Sequence, residues 1–125
     1  MSHVHRVLVV EDDRWLCDAM VETLTAGGCE AVGASDGSQA FALLRPGHSP
    51  CLIFLDLMMP GMDGWQFIEQ LRLRAAFART PVVVVTAYGT TEGVRSLGAV
   101  DCLKKPFQLE QLREFVARYC THGSL

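Results

Sequence analysis

A doubly wound α/β sandwich built on a five-stranded parallel sheet is predicted by three observations. First, the apolar runs Val7-Leu8-Val9-Val10, Leu52-Ile53-Phe54-Leu55 and Val82-Val83-Val84-Val85 are too short for helices and lack polar alternation, as strands covered on both faces do. Second, the segments that follow most of these runs carry apolar residues at helical spacing. Third, the same three runs end in Glu11-Asp12-Asp13, in Asp56 and in Thr86. Parallel strands open their carboxyl ends on one sheet edge, where ligands bind at the switch point, so that edge gathers four acids and a hydroxyl.

Taken in order, the first strand leads into a helix marked by Leu16, Ala19-Met20 and Thr23-Leu24 and stopped at Gly27-Gly28. Residues 31–34 form a weak strand, and Ser35-Asp36-Gly37 offers a cap for a helix over residues 38–44 that breaks at Pro46-Gly47. The third strand is followed by the loop Met58-Met59-Pro60-Gly61-Met62-Asp63-Gly64 and a helix with the stripe Phe67-Ile68, Leu71 and Ala75. After the fourth strand, residues 90–97 make a poor helix, because Gly89 and Gly93 each cost roughly 1 kcal/mol relative to alanine. A fifth strand over residues 101–104 leads to Pro106, and Leu109, Leu112, Phe115-Val116 and Tyr119 close the chain with an amphipathic helix. Right-handed crossovers then leave few ways to connect five βα units.

Composition narrows the function classes. A chain of 125 residues, half apolar and 20% charged, has one sizeable core, so residues 1–125 read as a single domain with its core at about 6–119 and a tail at 120–125. No stretch approaches the roughly 18 apolar residues of a membrane span, and Met1-Ser2-His3-Val4-His5-Arg6 has no signal core, so a cytoplasmic protein without membrane contact is expected. The net charge is −3 and basic residues are scattered, Arg72 and Arg74 being the nearest to a patch, which argues against direct nucleic-acid binding. Cys17, Cys29, Cys51, Cys102 and Cys120 are odd in number and show no C-x-x-C pair. They read as buried free thiols of a reducing compartment, with neither a disulfide nor a zinc site. His3, His5, His48 and His122 lie at the ends or in one loop and do not read as metal ligands.

Crowding Glu11, Asp12 and Asp56 raises the cost of ionising each unless a cation compensates. Mg²⁺, which prefers oxygen ligands and keeps several waters, suits such a shallow carboxylate cup and would also neutralise an incoming phosphoryl group. Asp56, alone at its strand end, is the candidate to attack that group. Thr86 can donate a hydroxyl and Lys105 a point charge to the phosphoryl oxygens; a cis Lys105-Pro106 bond would turn the lysine inward. Asp13 reads as a neighbour of the site, Lys104 as a solvated surface charge, and Met58-Met59 with Met62 as loop packing.

Val9-Val10-Glu11-Asp12-Asp13, Leu55-Asp56-Leu57-Met58-Met59-Pro60-Gly61-Met62-Asp63-Gly64, Thr86-Ala87 and Lys105-Pro106-Phe107 resemble the receiver domain of bacterial response regulators, in its chemotaxis-type form. The resemblance runs from about Arg6 to Tyr119, and its strength lies in the combined order and spacing. It implies the flavodoxin-like receiver fold, with five helices and strand order 2-1-3-4-5. It also implies that Asp56 accepts a phosphoryl group from a sensor histidine kinase or histidine phosphotransfer protein and then changes contacts with a downstream protein target. Glu11, Asp12, Asp56 and the backbone carbonyl of Met58 would arrange Mg²⁺, Thr86 and Lys105 would bind the acyl phosphate, and Thr86, Cys102 and Pro106 would stand at the conformational switch. The only chemistry implied is phosphoryl transfer to the domain's own Asp56 and self-dephosphorylation, not turnover of outside substrates.

Two departures from the family stand out. Cys102, three residues before the lysine, replaces the usual tyrosine or phenylalanine of the fifth strand and removes the rotating aromatic of the family's switch. The segment between Thr86 and Lys105 is also about one helical turn shorter than is usual and bears glycine, so an order change in residues 90–97 is expected in place of the aromatic switch. Met58 and Tyr88, two residues beyond Asp56 and Thr86, are bulky enough to slow hydrolysis of an acyl phosphate. Other classes fit less well. An aspartate-nucleophile phosphatase wants a second carboxylate where Met58 stands, and an FMN binder would not present three acids to a bare phosphate. A scaffold that keeps the fold but signals without phosphorylation would lack a site residue, and none is missing.

Overall fold

The computed structural model describes residues 5–59, 61 and 63–120. Five parallel strands run in the order β2-β1-β3-β4-β5: β1 Arg6–Val10, β2 Glu30–Ala34, β3 Leu52–Asp56, β4 Val82–Thr86 and β5 Asp101–Lys104. The helices are α1 Arg14–Ala26, α2 Gly37–Leu43, α3 Gly64–Arg72, α4 Thr91–Arg95 and α5 Gln111–Tyr119, with a 3₁₀ turn at Ala75–Phe77. The expected architecture and strand order are both observed. Every position of β3 and β4 is buried, which is why these strands read as continuous apolar runs, whereas edge strand β2 alternates and was faint in sequence.

Strand alternation divides the core into two layers. Val7, Val9, Leu52, Phe54, Val83, Val85 and Leu103 pack against Met20 and Leu24 of α1 and Leu112, Phe115 and Val116 of α5. Leu8, Val10, Ile53, Leu55, Val82 and Val84 face Ala40 of α2, Phe67, Ile68 and Leu71 of α3, and Val94 of α4. Helices thus cover both faces, and the crevice stays at the carboxyl edge.

Helix ends differ from expectation in detail. Asp13, Asp36, Asp63 and Thr90 each accept a backbone N–H of the first turn, so α1, α2 and α3 begin one or more residues before their expected apolar positions, while α4 begins at Thr91 rather than at residue 90. Asp63 also forms a capping box with Gln66. α3 stops at Arg72, before Ala75, and the chain enters the 3₁₀ turn. Arg72 holds this corner together, donating to the carbonyls of Phe77, Thr80 and Gly98 at 3.3, 2.8 and 2.9 Å. α4 is confined to five residues.

The cysteine reading needs a correction. Cys51 and Cys120 form a disulfide, leaving Cys17, Cys29 and Cys102 free. Spacing conceals the pair because its members lie 69 residues apart, yet the fold brings their Cα atoms to 5.1 Å. The argument from free thiols to a reducing compartment therefore falls for this pair. Cys120 is the buried C-cap of α5 rather than part of a tail, while residues 121–125, with His122, lie outside the described residues, as do His3, Pro60 and Met62. Among the described residues no helix is long and apolar enough to cross a membrane.

Candidate functional site

Sheet register assembles the crevice. Val10 pairs with Leu55 and Asp56 with Val85, so Glu11 and Asp56 leave adjacent strands at the same level. Thr86 pairs with Lys104, which sets Lys105 just beyond it, and Lys105 N–H donates to the Thr86 carbonyl at 2.9 Å. Glu11, Asp12 and Asp56 each offer an oxygen within 4.8 Å of the others, and Lys105 Nζ lies 3.0 Å from Glu11 Oε1 and 3.8 Å from Asp56 Oδ2. The Lys105-Pro106 peptide bond is cis, and Pro106 and Lys104 are exposed. Glu11, Asp12, Asp56 and Lys105 thus meet in one place, with Thr86 at the adjoining end of β4 and Asp13 capping α1.

The acids differ in environment. Glu11 and Asp56 are 2% and 4% exposed, whereas Asp12 is open to solvent. Burial lifts the Glu11 carboxyl to about 7, against the opposing pull of the Asp13 N–H and Lys105. Burial also lifts Asp56, with Asp12 adding to the rise and the Met58 N–H, Glu11 and Lys105 opposing it. For Lys105, burial favours the neutral amine, but Glu11, Asp56 and Asp12 outweigh it and hold the ammonium above its ordinary range. Glu11 Oε1 has the lysine charge nearby but accepts no aligned hydrogen bond. A buried carboxylate oxygen without an aligned donor, beside two further acids, is a donor set that fits a hard cation.

Backbone donors fix the side chains. Met58 N–H donates to Asp56 Oδ1 at 3.1 Å, Asp13 N–H to Glu11 Oε2 at 3.1 Å, and Tyr88 N–H to Thr86 Oγ1 at 3.2 Å. Thr86, 5% exposed, therefore accepts from the backbone and keeps its hydroxyl proton for another partner. Met58 and Tyr88 are 78% and 84% exposed, so Met58 does not pack as expected, while Met59 is buried in the layer formed with α2, α3 and α4. Gly64 is required there, because a Cβ would stand 2.9 Å from Leu57 Cα. Cys102 is half-buried and packs against the layer formed with α2, α3 and α4.

One buried acid had no signal in the sequence. Asp101, at the start of β5 and 6% exposed, accepts from Arg118 Nη1 at 2.9 Å and from the Tyr119 hydroxyl at 2.7 Å. The Cys102 N–H and the Thr91 hydroxyl reach its other oxygen. Burial would raise this carboxyl, but Tyr119, the Cys102 N–H and Arg118 outweigh it and hold it below its ordinary value.

Comparison with known proteins agrees with this geometry. The model of the response regulator receiver domain matches residues 7–117. The response regulator protein FleR of Pseudomonas aeruginosa is 41% identical over 119 residues, which cover 91% of this chain and 24% of FleR. Sporulation initiation phosphotransferase F of Bacillus subtilis is 28% identical, with 91% of this chain and 92% of that protein covered. Chemotaxis protein CheY4 of Vibrio cholerae superposes with a TM-score of 0.84 at 28% identity, covering 94% and 99% of the two chains. The chain thus spans about a quarter of FleR and nearly all of the two shorter relatives. With the family's model matched over residues 7–117, the chain belongs to the response regulator receiver domain family.

Proposed function

We propose that this domain stores a signal as an acyl phosphate on Asp56, taken from a histidine kinase or histidine phosphotransfer protein. The observation that carries the reading is the meeting of three carboxylates within 4.8 Å with Lys105 opposite two of them. A carboxylate oxygen of Asp56 attacks phosphorus, the N–P bond of a donor phosphohistidine breaks, and the imidazole leaves with the bonding electrons. Lys105 then pairs with a phosphoryl oxygen, and Thr86, its lone pair already engaged by Tyr88 N–H, donates its hydroxyl to another. Glu11, Asp12, Asp56 and the Met58 carbonyl would hold Mg²⁺, which when bound neutralises charge on the transferring group. Met58, standing where an aspartate-nucleophile phosphatase wants a second acid, suits transfer to the domain itself rather than turnover of outside substrates.

A cytoplasmic setting follows from the donor, since phosphohistidine donors are made there, and a protein target downstream would read the changed surface. Cys102 supplies no aromatic ring for that reading, so the short α4, carrying Gly93 after the Thr90 cap, is proposed as the element whose order changes. Residues 1–125 are proposed to act as one domain. The test is intact-mass analysis after incubation with acetyl phosphate, with and without Mg²⁺. One Mg²⁺-dependent phosphoryl adduct, absent from Asp56→Asn, is expected; no adduct on folded protein would favour a scaffold that binds without phosphorylation.

A further inference from the structure

The amino edge of the sheet, opposite the acidic crevice, carries chemistry that the phosphoacceptor reading does not use. Cys51 directly precedes β3, and its N–H donates to the Arg6 carbonyl beside it in β1. Cys120 caps α5, and its N–H donates to the Val116 carbonyl. The bond between them is thus a covalent tie from the amino end of a central strand to the last turn of the terminal helix. That same turn carries Arg118 and Tyr119, both bound to buried Asp101. The two halves of the disulfide differ in access: Cys120 is 3% exposed, while Cys51 is only half-buried.

We propose that Cys51–Cys120 is a reversible redox site, reduced by a dithiol through Cys51, and that its state sets how firmly the last turn of α5 holds Asp101. An incoming thiolate attacks Cys51 Sγ, the S–S bond breaks, and Cys120 leaves as a thiolate that takes up a proton. The second thiol of the dithiol then attacks the mixed disulfide and releases Cys51, so the dithiol is oxidised as the pair is reduced. Reduction need not unfold the domain, because Leu112, Phe115 and Val116 of α5 stay packed on Leu52, Phe54 and Val83. What it removes is the tie on the final turn, where the Asp101 contacts are the other anchor. Three free thiols remain in the oxidised form, and two of them, Cys17 and Cys29, pack in the same layer as the pair.

The experiment compares the protein with a Cys17→Ser/Cys29→Ser/Cys102→Ser variant, so that only the proposed pair can react. Both are equilibrated in dithiothreitol redox buffers, trapped by alkylation and weighed, with folding followed by circular dichroism. In the triple variant the expected result is two thiols appearing together while the fold persists. Amide exchange in residues 116–120 and 101–104 should then speed up several-fold, and the change should reverse on reoxidation. Asp101→Asn should speed exchange in the same segments without reduction. Thiols that appear only when the protein unfolds, or a pair that never oxidises, would overturn the proposal, as would reduction that leaves exchange in both segments unchanged.

Discussion

At the scale of single residues, Glu11 is the group whose titration matters most. Its folded carboxyl sits at about 7, above its ordinary 4.5, so between those values the folded state holds a proton that the unfolded chain has lost. Without a divalent cation, stability should fall as pH rises through that window. Denaturant melts from pH 4.5 to 8 should show the decline, Mg²⁺ should flatten it, and Glu11→Gln should remove it, gaining on the order of 1–3 kcal/mol above pH 7. Asp101 has the opposite sign. Its carboxyl is held below its ordinary 3.8, so its stabilisation is present above that value and lost as pH falls through the folded one. Thermal melts of Asp101→Asn should therefore lie below those of the parent at pH 7 and converge with them in strong acid.

Among the elements, two connections position the crevice through backbone contacts. Gly64 opens α3 directly against the strand that carries Asp56, its N–H bonded to the Leu57 carbonyl at 3.0 Å. Gly64→Ala must push Leu57 aside and should cost about 1–3 kcal/mol in urea unfolding, with a slower phosphoryl uptake as Asp56 shifts. Arg72 ties the end of α3 to the loop before β5; Arg72→Ala removes the donor from the Thr80 and Gly98 carbonyls, while the Phe77 carbonyl keeps the Thr80 N–H, and should cost about 2 kcal/mol, of which Arg72→Lys recovers only part. The rim makes a separate prediction. If Met58 and Tyr88 shield the acyl phosphate, replacing both with serine should shorten its lifetime several-fold, and an unchanged lifetime would remove them from the account.

Over the whole molecule, what could be read in the sequence divides along physical lines. Strands buried on both faces leave unbroken apolar runs, so β1, β3 and β4 and the residues at their ends were legible, and the register then brings Glu11, Asp56, Thr86 and Lys105 together. Local chemistry was legible too, as in the capping segment Ser35-Asp36-Gly37, of which Asp36 is the cap. Contacts set by tertiary approach were not: nothing local marks the corner held by Arg72, the Arg118 and Tyr119 contacts of Asp101, or the pairing of Cys51 with Cys120. Closing a loop whose ends lie 69 residues apart should restrict the unfolded chain, so Cys120→Ser should lower stability by about 2–4 kcal/mol in calorimetry or urea melts. The central claim is narrower than the fold and rests on one carboxylate. Borohydride trapping of the phosphorylated protein, followed by peptide mapping, converts an aspartyl phosphate to homoserine and so names the residue that carried it. Homoserine at position 56, dependent on Mg²⁺ during loading, is the result this account predicts; reduction at Asp12 or Asp13 instead, or at no position in a loaded sample, would contradict it.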